Sequence, residues 1–134
     1  MTIHEAIAAA SDVLPGAAVA EGIDPRWQAI IEVAEYLGSC PEEVWGFAAR
    51  WGCSDDADLR SAIATCVLEH LLEHDFATFF PQASTLARSN ANFAQTISLC
   101  WRFGQAEKPM NVLAFNGLLA DLRLPPNKSL ERTR

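Results

Sequence analysis

Apolar residues recur along this chain at steps of three and four, and helix start and stop signals separate the runs. Thr2-Ile3-His4-Glu5 has capping-box spacing and predicts a helix to about Leu14, stopped by Pro15-Gly16. An Ala-rich joint over 17–22 follows. Asp24-Pro25 opens a second helix, because Asp accepts from free amides and Pro is preorganised for the first helical position. Trp27, Ile30, Ile31, Ala34 and Leu37 form its stripe, and Gly38 ends it. Pro41-Glu42-Glu43 opens the third, with both acids where the helix dipole favours negative charge. Its stripe is Val44, Phe47, Ala48 and Trp51, and Gly52 stops it. Ser54-Asp55-Asp56 leads into the longest helix, about Ala57 to His74, whose inner side is marked by Leu59, Ala62, Ile63, Cys66, Val67, His70, Leu71 and His74. Phe76, Phe79 and Phe80 are packing anchors, and Pro81 is expected to break or restart their helix. Asn90 caps a helix carrying Phe93, Thr96, Ile97, Cys100 and Trp101, closed by Gly104. Pro109 opens a last helix with Val112, Leu113, Phe115, Leu118, Leu119 and Leu122; from Leu124 the residues predict a disordered tail. No segment alternates as a strand does, so the class is all-α.

Three of the helix starts repeat. Asp24, Asp56 and Asn90 each stand three residues before a large apolar residue (Trp27, Leu59, Phe93), followed by apolar or small residues at the same steps, at offsets of 32 and 34 residues. Each unit has room for two antiparallel helices, and such pairs bury both faces only by stacking on neighbours. The pattern predicts a short right-handed stack of antiparallel helical hairpins: one domain over 1–123, with repeats at about 24–52, 56–89 and 90–123, and a tail over 124–134.

Glu42 to Leu72 carries Val44-Trp45, Trp51-Gly52, Ser54 and then Asp58-Leu59-Arg60-Ser61-Ala62-Ile63-Ala64. This stretch resembles HEAT-type repeats, and distantly the helical-repeat proteins of the DNA-alkylation-repair glycosylase type. The resemblance implies an α-α superhelix. It transfers no catalytic residue, because the chain has too few repeats to surround a duplex and lacks a dense basic concave face. The end, Pro126-Asn127-Lys128-Ser129-Leu130-Glu131-Arg132-Thr133-Arg134, is similar to tails of bacterial integron gene-cassette products, which implies an accessory role for a bacterial protein.

Composition narrows the class further. A chain of 134 residues holds one core. Half of its residues are hydrophobic and 20% are charged, which argues against disorder. No apolar run reaches the roughly 18 residues of a membrane span, and the N-terminal stretch lacks a signal peptide's basic start. Cys40, Cys53, Cys66 and Cys100 include no Cys-x-x-Cys pair and read as reduced thiols, hence a cytoplasmic location. The net charge of −7 weighs against general nucleic-acid binding. That charge is uneven: residues 1–75 hold 14 acids and 3 bases, residues 76–134 hold 3 acids and 7 bases.

Candidate chemistry is sparse. His70-Leu71-Leu72-Glu73-His74 matches the His-x-x-Glu-His of inverted zinc peptidases, yet a distant third ligand is poorly supplied downstream; a wet helix end suited to histidines is the plainer account. No cofactor is implied. Trp27 and Trp101 are expected in the core, whereas Trp45, beside its stripe, is the aromatic expected at the surface. These readings converge on a non-catalytic protein-binding module, in which Trp45, Glu42, Glu43, Asp55, Asp58 and Arg60 contact a basic protein partner or a second copy of the chain. The alternative is a small enzyme, either a zinc hydrolase using His70 and His74 or a nucleic-acid-modifying protein.

Overall fold

The computed structural model describes residues 1–125 apart from Ala18 and Ala20, which fall in the Ala-rich joint. The chain is all-α, with no strand among the described residues. The helices are α1 (Ile3–Val13), α2 (Pro25–Ala34), α3 (Pro41–Trp51), α4 (Ala57–Ile63), α5 (Glu69–His74), α6 (Phe76–Ser89), α7 (Ala91–Ser98) and α8 (Pro109–Asp121). A π-helical turn, Ala64–Leu68, joins α4 to α5, and a 3-10 turn, Gly104–Glu107, precedes α8.

Most starts follow the caps written in the chain. Thr2 accepts the Glu5 N–H at 3.2 Å and donates its hydroxyl to the Glu5 carboxylate at 3.2 Å. Asp24 accepts from Arg26 N–H, Asp56 from Asp58 and Leu59, Asp75 from Thr78, and Asn90 from Phe93. Each bond satisfies an amide that the first helical turn leaves without a partner.

Four expectations need correction. First, α2 ends at Ala34, and residues 35–39 run as turns with three-residue backbone bonds. Its buried face is Arg26, Ile30 and Val33, so Ile31 is 40% exposed. Second, Pro81 lies inside α6 without ending it. The carbonyl deprived of its helical donor there belongs to Ala77, which is exposed and open to water. Third, α7 stops at Ser98, leaving Cys100 and Trp101 beyond it, and Gly104 opens the 3-10 turn instead of closing a helix. The reason is a competing acceptor: Trp101 N–H donates to the Glu69 carboxylate at 3.1 Å. Fourth, the stretch from Ala57 to His74 is interrupted by the π turn. That turn adds a residue to the helical cycle and rotates everything after it by about 100°. Leu68, Glu69 and Leu72 therefore turn inward, while the side chain of His70 is 45% exposed and His74 is exposed.

Packing runs from helix to helix. α2 lies against α1 on one side and against α4 and the π turn on the other, and α4 lies against α7. α3 touches α4, the π turn and α6; α6 packs on α7. The buried core draws on all of them, including Ala10, Ile30, Val44, Ile63, Leu72, Phe79, Phe93 and Ile97. α8 joins it through Phe115, which meets Phe80 of α6 at 5.7 Å between ring centres. Leu124, placed in the tail by composition, is half-buried and donates its N–H to Leu119 O at 2.9 Å. The cassette-like segment 126–134 lies outside the described residues.

Candidate functional site

The acidic residues singled out from sequence fall into two kinds. Glu42 and Glu43 stand exposed in the first turn of α3 and form no ion pair among the described residues. Asp55 and Asp58 are engaged. Asp55 accepts Asn92 Nδ2 at 2.8 Å, and Asp58 accepts both Arg26 Nη2 at 2.7 Å and Trp27 Nε1 at 3.0 Å. Arg60 turns back to Ser54 O at 2.9 Å. Trp45 is half-buried, not exposed: its ring lies 6.3 Å from Phe79 and 5.9 Å, edge-on, from Phe93. None of these contacts joins Trp45, Arg60, His70 and His74 into one cleft.

Arg26 is the residue that sequence reasoning missed. It is 2% exposed, yet it carries a charge. Its Nη1 donates to Asp56 Oδ2 at 2.7 Å and to Gly16 O at 3.1 Å. With the Asp58 bond, one side chain ties the α1–α2 connection and α2 to the start of α4. The guanidinium hydrogen-bonded to Asp56 holds that carboxyl below the usual carboxylate range, and Asp56 in turn raises Arg26. Asn92 does corresponding work from the third unit, donating to Cys53 O at 3.1 Å as well as to Asp55. Arg26, Asp58 and Asn92 all stand two residues after a cap. The available signal was that Arg26 is the one base among residues 1–49, set at that repeated position.

A second cluster forms where α5 meets the segment after α7. Glu69 is 4% exposed, so the wet helix end expected there is half right: His74 is wet and Glu69 is not. Burial pushes the Glu69 carboxyl up to about 6, against the Trp101 N–H and nearby His70, which favour its charge. His70 Nδ1 sits 3.0 Å from Glu73 Oε1, and its ring lies nearly parallel to Phe103, with centres 6.3 Å apart. Gly104 (φ +49°) rests so closely on α5 that a Cβ would stand 2.8 Å from Glu73 Cγ and 2.9 Å from Glu73 O. Gln105 Oε1 accepts the Phe76 N–H at 2.9 Å, fixing the same segment to α6.

This corner holds acid–base groups but offers little reach to a substrate. Glu69 is turned inward. Burial pushes the thiols of Cys53 and Cys66 up and that of Cys100 well up, so they are neutral and weakly nucleophilic at neutral pH. No group of three or more His, Cys, Asp or Glu able to hold a metal occurs among the described residues, and His70 is engaged by Glu73 within the same helix. A groove of about 320 Å³ lies elsewhere, between the α6–α7 junction and the end of α8, lined by Arg88, Asn90, Ala94, Gln95, Leu122 and Leu124. Arg88 there pairs with Asp121 at 3.0 Å. No protein-family model matches this chain, and no curated protein and no solved structure matches it either.

Proposed function

We propose that the chain is a non-catalytic protein-binding module: its hairpins stack as a short right-handed HEAT-like superhelix, and its acidic N-terminal half receives a basic protein partner. The stack is supported by two ties made from the same position of the first and third units, Arg26 to Asp56 and Asp58, and Asn92 back to Asp55. It is also supported by the order α2, α4, α7 in which those helices lie side by side.

The observation that carries the functional reading is uncompensated charge. Of the three bases in residues 1–75, Arg26 is buried among its aspartates, Arg60 is turned to a backbone carbonyl, and Arg50 lies over the Trp51 ring, 4.6 Å from its centre. Glu5, Glu32, Glu35, Glu42 and Glu43 are left without an ion pair among the described residues. Fixed negative charge on rigid helices steers a basic partner and sets its orientation more than it adds affinity.

The test compares the wild-type chain with Glu42→Lys/Glu43→Lys in quantitative capture from host lysate at about 0.1 M and 0.5 M salt. Basic proteins retained by the wild type at low salt should be lost with the double variant and with added salt. A retained set that ignores both changes removes the proposal.

A further inference from the structure

α8 is the element whose outer face has no counterpart in the rest of the chain. Between Pro109 and Ala120 it carries no charged residue. Its two asparagines are occupied internally: Asn111 Nδ2 donates to Gln105 O at 2.8 Å, and Asn116 accepts from Arg102. Phe115, Leu118 and Leu119 face the core. On the opposite side stand Met110 (77% exposed), Leu113 (66% exposed), Gly117 and Ala120, at steps of three, four and three. That spacing is the seam along which one helix packs against another. A terminal element of a helical stack ordinarily presents a polar outer face, and this one does not.

We propose that α8 pairs antiparallel with α8 of a second copy of the chain, about a two-fold axis that passes beside Phe115. The sequence of the face selects this occupant, because it is complementary to itself. In antiparallel register Leu113 lies opposite Gly117 of the other copy, and Met110 lies opposite Ala120. Large residues meet small ones at all four layers, and the same surface serves both chains, as an isologous dimer requires. Gly117 has open space around it: a Cβ there would meet nothing within 4 Å. The helix dipoles oppose one another as well. With about 1.5 Å of rise per residue, α8 is roughly 20 Å long, so it buries less than the roughly 800 Å² per partner of a standard stable interface. The pair is therefore reversible and concentration-dependent.

This inference rests on α8 alone and stands apart from the acidic half. Sedimentation velocity of the full chain, from about 1 to 500 μM, should show the mean mass climbing from 14.6 kDa toward twice that value and no further. Leu113→Asp should raise the dissociation constant at least about tenfold with an unchanged helical circular dichroism spectrum. Gly117→Leu separates specific pairing from general stickiness. It adds apolar surface without touching its own chain, yet it fills the space that Leu113 of the other copy needs, so association should fall at least about tenfold. A monomer throughout the range overturns the proposal. So does association that survives Leu113→Asp, grows with Gly117→Leu, or proceeds beyond two copies.

Discussion

At Glu69 burial and hydrogen bonding pull in opposite directions, and burial wins. The carboxyl, pushed up to about 6 from 4.5, makes the ionised form costly in the folded chain. A shift of that size corresponds to about 2 kcal/mol. The stability it contributes is fully present below about pH 4.5 and lost as pH rises through 6. Glu69→Gln keeps an acceptor for the Trp101 N–H and removes the charge. Urea unfolding at pH 7.5 should find it more stable by about 1–2 kcal/mol, with the pH dependence between 4.5 and 6 flattened. A destabilised variant would mean that the carboxylate is needed as an ion. Asp56 has the opposite sign: its carboxyl lies below 3.8 because Arg26 holds it, so its contribution is present above that pH and lost as pH falls below it. Arg26→Met should cost about 2–3 kcal/mol, at the low end for a broken ion pair because Asp56 and Asp58 remain 43% and 45% exposed and can hydrate. It should also blunt acid unfolding below pH 3.8; unchanged acid unfolding would remove the pair from that role. Neither residue was legible as buried. A charged side chain in an apolar stripe is invisible to a pattern that scores only hydrophobicity, and its partners lie some thirty positions away in sequence.

At the scale of elements, the caps were legible and the helix ends less so. Asp24, Asp56 and Asn90 act within three residues of themselves, so their chemistry is written locally. The π turn is not. No Gly or Pro marks Ala64–Leu68, and its freed geometry is matched by a distant group, the Cys100 thiol, which donates to Ala64 O at 3.6 Å. The one-residue advance then exchanged the expected inward His70 and His74 for Leu68, Glu69 and Leu72. Gly52 shows the same limit. It reads as a helix stop, but its φ of −67° is ordinary. Its need for glycine is spatial: a Cβ would stand 2.7 Å from Ala48 O and 2.9 Å from the Phe93 ring, and its carbonyl accepts the Thr96 hydroxyl at 2.6 Å. Gly52→Ala should therefore lower stability by about 1–3 kcal/mol. Gly46→Ala, in the middle of α3 with nothing within 4 Å of the new carbon, should raise it by about 0.5–1 kcal/mol. The paired thermal melts test both statements, and an equal effect at the two sites would show that helix propensity alone governs them.

For the whole molecule, the division of charge needed no coordinates, since fourteen acids against three bases can be counted. Coordinates add how little of it is neutralised. Arg26 spends itself on Asp56 and Asp58, and the exposed glutamates Glu5, Glu35, Glu42 and Glu43 repel one another in the same half of the molecule. Such self-repulsion weakens a fold, and salt relieves it by screening exposed charges more than about 10 Å apart at 0.1 M. Raising sodium chloride from about 0.02 to 0.5 M should therefore lift the melting temperature by a few degrees, roughly 1 kcal/mol for a chain of this size. Glu42→Lys/Glu43→Lys should melt higher than the wild type at low salt and respond less to added salt. The same substitutions are expected to abolish capture of a basic partner, so fold stability and binding would move in opposite directions. That divergence separates a surface kept acidic for recognition from one that merely supports the helices. If the double variant instead melts lower at low salt, Glu42 and Glu43 serve the helix dipole of α3 more than they suffer from their neighbours, and the case for an acidic docking face loses its thermodynamic footing.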